Sequence, residues 1–423
     1  MLVVKRIVLL LLANILFGLT AQGQATRSPF SAFGIGEYYG NSLAHNQGMA
    51  GVGISNPQYY YLNNKNPALL VFNTLTVFES GIVGESRTLN NGNATEKNGS
   101  GNINYLALGF PVKRGWWSTS TGLMPYTNVN YKFNYTDNIA GSTDKVAVVE
   151  TGDGGINQVF WSNGVALNKT FSLGVRFNYL FGAINNKYAN AVLGSQQSIV
   201  FVPTVVERYY YKDYNVSTGF SFHKDSLFKK NYRLNIGLTY DFNSSAKTSY
   251  HALVERYVSG RLIDSVAIAT LQGTVTLPQT LGAGISFSKG DQVTIGCDIM
   301  YLDYTQFRDF RGENPAGQGA WRIAVGGELT PNASSPGNYL KRVTYRTGVS
   351  IDQYPYLVNG NTLKDFGINF GLSLPVGRIS SVDIGVKFGK RGDLALNKIE
   401  ENYVKLYFGV TFNDQWFIKR RFD

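Results

Sequence analysis

The chain has 423 residues, 43% of them hydrophobic and 14% aromatic, and its 39 Lys and Arg against 28 Asp and Glu give a formal charge of +11. A single cysteine, Cys297, excludes an internal disulfide and any cysteine-based zinc cluster. No zinc-ligand spacing, helix-turn-helix pattern or dense basic run precedes Ile418–Asp423, so the positive balance suits a lumen, loops and anionic lipid headgroups and excludes a nucleic-acid partner.

At the amino terminus Lys5 and Arg6 precede an apolar run from Ile7 to Leu19 that ends in Thr20, Ala21, Gln22 and Gly23. A charged start, a short apolar stretch and a small-residue exit predict a cleaved secretory signal peptide over residues 1–23. The run is shorter than the roughly 20 apolar residues a membrane helix needs. No later stretch is long and apolar enough to be one.

Residues 24–72 alternate poorly and are rich in Gly and Asn, with Ser28 to Gly36, Gln47 to Gly53 and Asn63 to Leu69 as the marked stretches. From residue 73 to 423 the pattern changes to short segments separated by Gly, Asn and Ser. Phe366, Ile368, Phe370, Leu372 and Leu374 alternate with Gly367, Asn369, Gly371 and Ser373; Leu234 to Phe242, Val382 to Phe388 and Val404 to Phe412 repeat the rhythm. A period of two is the mark of a strand with one apolar face. Several segments reach about ten residues, the length of a tilted membrane strand, and aromatics gather at strand ends (Tyr59 to Tyr61, Trp116 and Trp117, Tyr209 to Tyr211, Trp416 and Phe417), as in interfacial girdles. A soluble sandwich gives the same alternation with the apolar face inward; an exported chain with these girdles predicts an all-β, transmembrane antiparallel β-barrel. Candidate strands from Leu75 to Phe412 number about fourteen, with Ser249 to Val258 the weakest and open to being an extracellular loop. The lumen of such a barrel is wider than side chains fill, so it is either plugged or open.

Asn66-Pro67-Ala68 followed by Leu69, after Gly48-Met49-Ala50-Gly51-Val52-Gly53, resembles the amino-terminal hatch of the FadL-like family of outer-membrane hydrophobic-compound transporters. Gly109-Phe110-Pro111 and Leu123-Met124-Pro125-Tyr126 are similar to early family strands, Leu277-Pro278 to Gly284 and then Asp298-Ile299-Met300-Tyr301 resemble a Leu-Pro step and the strands after it, and Tyr354-Pro355 resembles a late one. The resemblance implies a fourteen-stranded barrel plugged by a hatch over 24–72, with Met49, Gly51, Asn66, Pro67 and Ala68 as hatch and ligand residues. It also implies capture of a hydrophobic small molecule or lipid, such as a long-chain fatty acid, and sideways release through a break in the wall. A break needs unpaired backbone, and proline lacks the donor, so Gly122 and Pro125 are the candidate kink. Taken alone, Pro125 equally well ends a strand at a turn, and Asn66-Pro67 equally well makes an ordinary turn. The carboxyl terminus departs from the family by running past its last aromatic strand, which points to a divergent branch. Some relatives serve type IX secretion, so a non-catalytic barrel subunit of a secretion or assembly complex is the alternative function.

An enzyme is not expected. His45, His223 and His251 have no recognisable Ser or carboxylate arrangement, and the odd separation of Asp298 and Asp303 puts them on opposite faces of one strand. Gly34-Ile35-Gly36 and Gly51-Val52-Gly53 lack the Lys-Ser or Lys-Thr of a phosphate loop. No cofactor or metal is expected. The expected surroundings are the outer membrane of a Gram-negative cell, its lipids, and secretion-system partner proteins on the alternative reading.

Overall fold

The computed structural model describes residues 27–416, except 140, 142, 143, 194–200, 227–230, 259, 317, 377 and 378. The expected signal peptide and the final residues 417–423 lie outside the described residues.

Fourteen crossings make the wall. In chain order they are β1 (Thr76–Asn90), β2 (Thr95–Lys113), β3 (Trp117–Pro125, then Thr127–Asn138), β4 (Lys145–Ala166), β5 (Phe171–Leu193), β6 (Phe201–Asp225) and β7 (Tyr232–Asp241, then Ser244–Val258). Then follow β8 (Arg261–Leu277, then Gln279–Lys289), β9 (Val293–Asp303), β10 (Ala320–Leu329), β11 (Thr344–Val358), β12 (Asn361–Val376), β13 (Ser380–Asp393) and β14 (Ile399–Asp414). Each of β3, β7 and β8 is interrupted once, at Tyr126, at Phe242 with Asn243, and at Pro278. Neighbours pair antiparallel, and β14 pairs back onto β1 from Glu400↔Asn90 to Asp414↔Thr76, which closes the barrel.

Closure settles which way the apolar faces point. Phe366, Ile368, Phe370 and Leu372 of β12 are 37–49% exposed, whereas Gly367, Asn369, Gly371 and Ser373 are buried. Leu406 and Phe412 of β14 and Leu281, Ile285, Ile295 and Ile299 of β8 and β9 are likewise turned outward. This is the inverse of a soluble sandwich, in which the apolar face is the dry one. A closed sheet pairs its backbone groups strand to strand, and an outward apolar belt meets lipid, which together suit the barrel to hydrocarbon. No helix among the described residues is long and apolar enough to cross a membrane.

Two ends are distinguishable. The end where β14 finishes carries the turn Arg114–Trp116 and the connection 330–343; the other, the loop end, carries the connection 304–319 between β9 and β10 and the extensions of the longest crossings. The crossings are unequal: β9 and the lower part of β8 have eleven residues each, but β4 has 22, β5 has 23 and β6 has 25. The upper halves of β3 to β8 therefore rise past the loop-end rim as a curved sheet. Ser249 to Val258 belongs to that sheet, paired from end to end with β6 and β8, and is not a loop.

Candidate functional site

The segment that precedes β1 is folded into the lumen. It contains two short 3-10 turns, Pro29–Ala32 and Pro67–Phe72, a two-residue strand Glu37–Tyr38 and one helical turn Ala44–Gln47. Elements this short are not stable alone; they are held by the wall.

Asparagine supplies the local stitching. The Asn66 side chain caps the second 3-10 turn, accepting from the Ala68 amide at 3.0 Å, while its own amide donates to the carbonyls of Ile54 (2.8 Å) and Phe220 on β6 (3.0 Å). Asn63 Oδ1 accepts from the backbone amides of Lys65 and Asn66. Pro67 fits the first position of the turn, where no donor is missed. The Ala68 carbonyl accepts from Ser172 on β5 at 2.9 Å.

Around this segment the wall presents inward glycines. Gly164, Gly174 and Gly219 lie side by side on β4, β5 and β6, and a Cβ on any of them would overlap the backbone or side chains of Asn66, Pro67 or Leu70. Gly326 and Gly348, paired on β10 and β11, stand equally close to the Met49 backbone. Met49 is fully buried there. Gly51, at φ +78°, packs on Ser42 and faces Arg322. The five expected residues Met49, Gly51, Asn66, Pro67 and Ala68 are thus all in the clasp, but on two different sides of it.

Ion pairs complete the clasp. Arg391 on β13 bonds Asp365 (2.9 Å) and Glu37 (2.6 Å), and Arg87 on β1 bonds Glu37 (3.1 Å) and Glu401 (2.9 Å), so the only acidic residue of the small strand is held by two guanidinium groups of the wall. Asp298 on β9 accepts from the amides of Gly53 (2.8 Å) and Ile54 (3.0 Å) and lies 3.6 Å from Lys65 Nζ. Arg322 bridges Asp352 and the Ala50 carbonyl. Arg346 reaches Glu328 at 3.0 Å and stacks over Tyr61. Sequence reasoning placed Asp298 on a strand and dismissed it as an acid-base partner of Asp303 without seeing this role, and it missed Glu37, Arg87 and Arg391. Inward placement of charged residues on otherwise alternating strands was the available signal.

Among the described residues the wall parts between β2 and β3. β2 pairs β3 from Lys113↔Trp117 to Leu106↔Leu123 and no further, and past Pro125 the upper half of β3 pairs β4 alone on the wall side. Pro125 is the last residue before the break. Gly122 is three residues earlier and still paired on both sides, to Ala107 and to Phe160, where its lack of a side chain accommodates the Phe160 ring. Opposite the break, Gly154 and Gly155 have φ of +112° and +144°, and a Cβ on Gly155 would overlap the Thr127 carbonyl. The bend of β3 thus rests on a glycine pair in β4 as well as on Pro125.

The edge of β3 left free by this bend is taken by the amino-terminal segment. Glu37 and Tyr38 pair with Asn128 and Thr127; the Tyr39 amide donates to the Tyr126 carbonyl at 3.0 Å, the Ser28 amide to Asn130 O at 2.8 Å, and Ser31 Oγ accepts from the Asn130 amide at 3.0 Å. A cavity at the break is lined by Asn102, Pro125, Asn128, Asn130 and Asn157 with glycines behind, a polar surface. At the top of the segment Ile35 joins an apolar cluster with the wall residues Val129, Ile184, Tyr211, Val275 and Tyr356, capped by Tyr304 and Phe307 from connection 304–319. Between segment and wall a cavity of about 170 Å³ remains, apolar at Tyr38, Ile54 and Tyr304 and charged at Arg322, Asp365 and Lys387.

The histidines are scattered. His45 is buried on Tyr61, 3.6 Å from Glu79; His223 Nδ1 bonds Asn235; His251 meets the Thr270 hydroxyl. Among the described residues no cluster of three His, Cys, Asp or Glu could hold a metal ion.

A closed fourteen-stranded antiparallel barrel with its amino-terminal segment in the lumen and a break after the first half of β3 defines an outer-membrane-type barrel of FadL-like fold. Solved structures share this fold, among them three from different sources. The toluene transporter TodX of Pseudomonas putida aligns at TM-score 0.57 and 14% identity over 89% of this chain and 99% of its own. A FadL homologue of Pseudomonas aeruginosa aligns at 0.57 and 11%, over 89% and 99%, and the toluene transporter TbuX of Ralstonia pickettii at 0.54 and 13%, over 88% and 98%. No curated protein matches the sequence. The chain belongs to the BamG family, whose match runs over residues 3–423.

Proposed function

We propose that this chain is a non-catalytic barrel subunit of an outer-membrane assembly complex, in which a hatch over residues 24–72 seals the lumen and other proteins dock on the barrel. The observation that carries this reading is the closure of the break: the free edge of β3 is hydrogen-bonded by Ser28, Ser31 and Glu37 to Tyr39, and the cavity there is lined with asparagine. A greasy cargo gains nothing from an amide-lined exit, since burying amides against hydrocarbon without partners costs about 2 kcal/mol or more each. The BamG family name points to an assembly complex as well. Export by a signal peptide over 1–23 and residence in the outer membrane belong to the same proposal, supported by the outward apolar belt.

Transport of hydrophobic compounds with lateral release is the second reading. The break at Pro125 and the apolar cluster at the top of the segment favour it, and two of the similar folds are named toluene transporters. On that reading Met49, Gly51, Asn66, Pro67 and Ala68 form the floor of the ligand site, and of the expected kink pair Gly122 and Pro125 it is Pro125 that stands at the break.

Mass spectrometry of the chain purified from its own outer membrane in mild detergent separates the two. The docking reading expects a stoichiometric protein partner and no retained apolar compound. A recurring fatty acid or hydrocarbon with no partner overturns it in favour of transport.

A further inference from the structure

The upper half of β8 is a free sheet edge. From Arg261 to Leu277 it pairs with β7 on one side; on the other, among the described residues, only Thr276 meets another segment, at Arg308. The lower half, Gln279–Lys289, pairs on both sides and with eleven residues already supplies a full crossing. Arg261–Leu271 therefore stands clear of the hydrocarbon, at the loop end, which in outer-membrane barrels is the extracellular one.

An unpaired edge of this length is a template for another strand, and proteins normally blunt such edges with lysine, proline or a covering loop. Here the edge carries Leu262, Ile263, Val266, Ile268 and Leu271, each 47–61% exposed. No Lys or Pro occurs between Arg261 and Leu271. Two bulges leave Ile263 and Ile268 opposite no residue of β7. Bulges twist an edge and stop indiscriminate pairing while re-aiming their side chains, so a fitting strand must match an irregular contour. Asp264 is engaged by Arg256, whereas Arg261 has no ion-pair partner among the described residues.

A second copy of this chain does not fit that edge. Two copies in one membrane are related by an axis along its normal, so both β8 strands run in the same direction along it. With each strand tilted by roughly 35–45°, the two edges cross at about 70–90° and cannot share a ladder. We propose that Arg261–Leu271 is the docking edge for an extended strand of a different polypeptide, added antiparallel to β8, with alternating apolar residues and a carboxylate that meets Arg261. Main-chain bonds would supply the attraction and the apolar alternation the selectivity. The proposal rests on the docking reading above and names the contact by which it works.

Photo-crosslinking from benzoylphenylalanine placed in turn at Leu262, Val266 and Thr270, in the organism's own outer membrane, tests it. The expected result is one partner segment whose crosslinked position moves backward as the reporter moves forward. The Ile263→Lys/Ile268→Lys variant should cut the yield by about tenfold or more, with the single Ile263→Lys between, while heat-modifiable migration of the barrel is unchanged. Crosslinks without register, crosslinks only to a second copy, or full yield in the lysine variants would overturn the edge proposal. A stoichiometric partner that still co-purifies with the lysine variants overturns the edge and leaves the docking reading standing; a chain that retains an apolar compound and no partner overturns both.

Discussion

Tyr38 lies directly opposite Thr127, in register, on the edge of β3 that has parted from β2. The pairing is only two residues long, but Ser28, Ser31 and Tyr39 extend it, so the backbone that would line a sideways exit is already bonded. Opening such an exit means giving up these bonds, each worth about 0.5–1.5 kcal/mol net, together with the Glu37 ion pairs.

Those ion pairs are the first point of test. Replacing Arg391 by Ala leaves Asp365 with Lys387 at 3.9 Å as its remaining ion-pair partner and removes one of the two guanidinium groups on Glu37. Breaking a buried pair from one side costs about 3–5 kcal/mol, because the partner charge stays desolvated. Urea unfolding followed by the gel shift of the folded barrel should register a loss of that size; a midpoint within error of the parent would mean that the network is solvated and holds nothing.

Adjacent glycines on β10 give an internal control. A Cβ on Gly326 would press on the Met49 backbone, whereas at Gly327 the nearest atom is 3.5 Å away. Gly326→Ala should destabilise by about 1–3 kcal/mol through overpacking. Gly327→Ala should stay within about 0.5 kcal/mol of the parent. Limited proteolysis of the amino-terminal segment should rise in the first variant alone.

Pro125→Ala distinguishes the two functional readings at the break. The bend of β3 also depends on Gly154 and Gly155 and on the bonds of the amino-terminal segment, so the variant should keep its fold and its protein partners at the parental level. Slowed release of a bound apolar compound would instead make Pro125 the kink of a transport route. Gly122→Ala should cost stability against Phe160 without moving the break, since Gly122 remains paired on both sides.

The fold was legible because the alternation of Phe366 to Leu374 and its counterparts is a backbone property; of the expected girdle aromatics, Trp116, Trp117 and Trp416 stand at strand ends, whereas Tyr59 to Tyr61 lie in the lumen segment and Tyr209 to Tyr211 in the middle of β6. Asn66-Pro67-Ala68 and Met49 were legible as parts of the clasp through resemblance. What stayed hidden depends on contacts distant in sequence. Glu37 meets Arg391 only once the barrel closes, and no local spacing encodes that pair. The upper half of β8 was missed because Arg261 to Gly273 has no clean period of two: the bulges at Ile263 and Ile268 shift the phase, and both faces are exposed. Ser249 to Val258 looked weak for the related reason that its partners, β6 and β8, rise together past the rim and need no lipid-facing alternation.

The most direct measurement locks the segment to the wall. In a Cys297→Ser background, Tyr38→Cys with Thr127→Cys allows a disulfide across the two-residue pairing, and the composition of the outer-membrane proteome is compared between oxidised and reduced cells carrying only this copy. A sealed docking barrel predicts that the locked chain supports the parental proteome and growth in both states. Loss of function on oxidation, restored by reductant, would mean that the segment must leave the edge of β3 and would contradict the account.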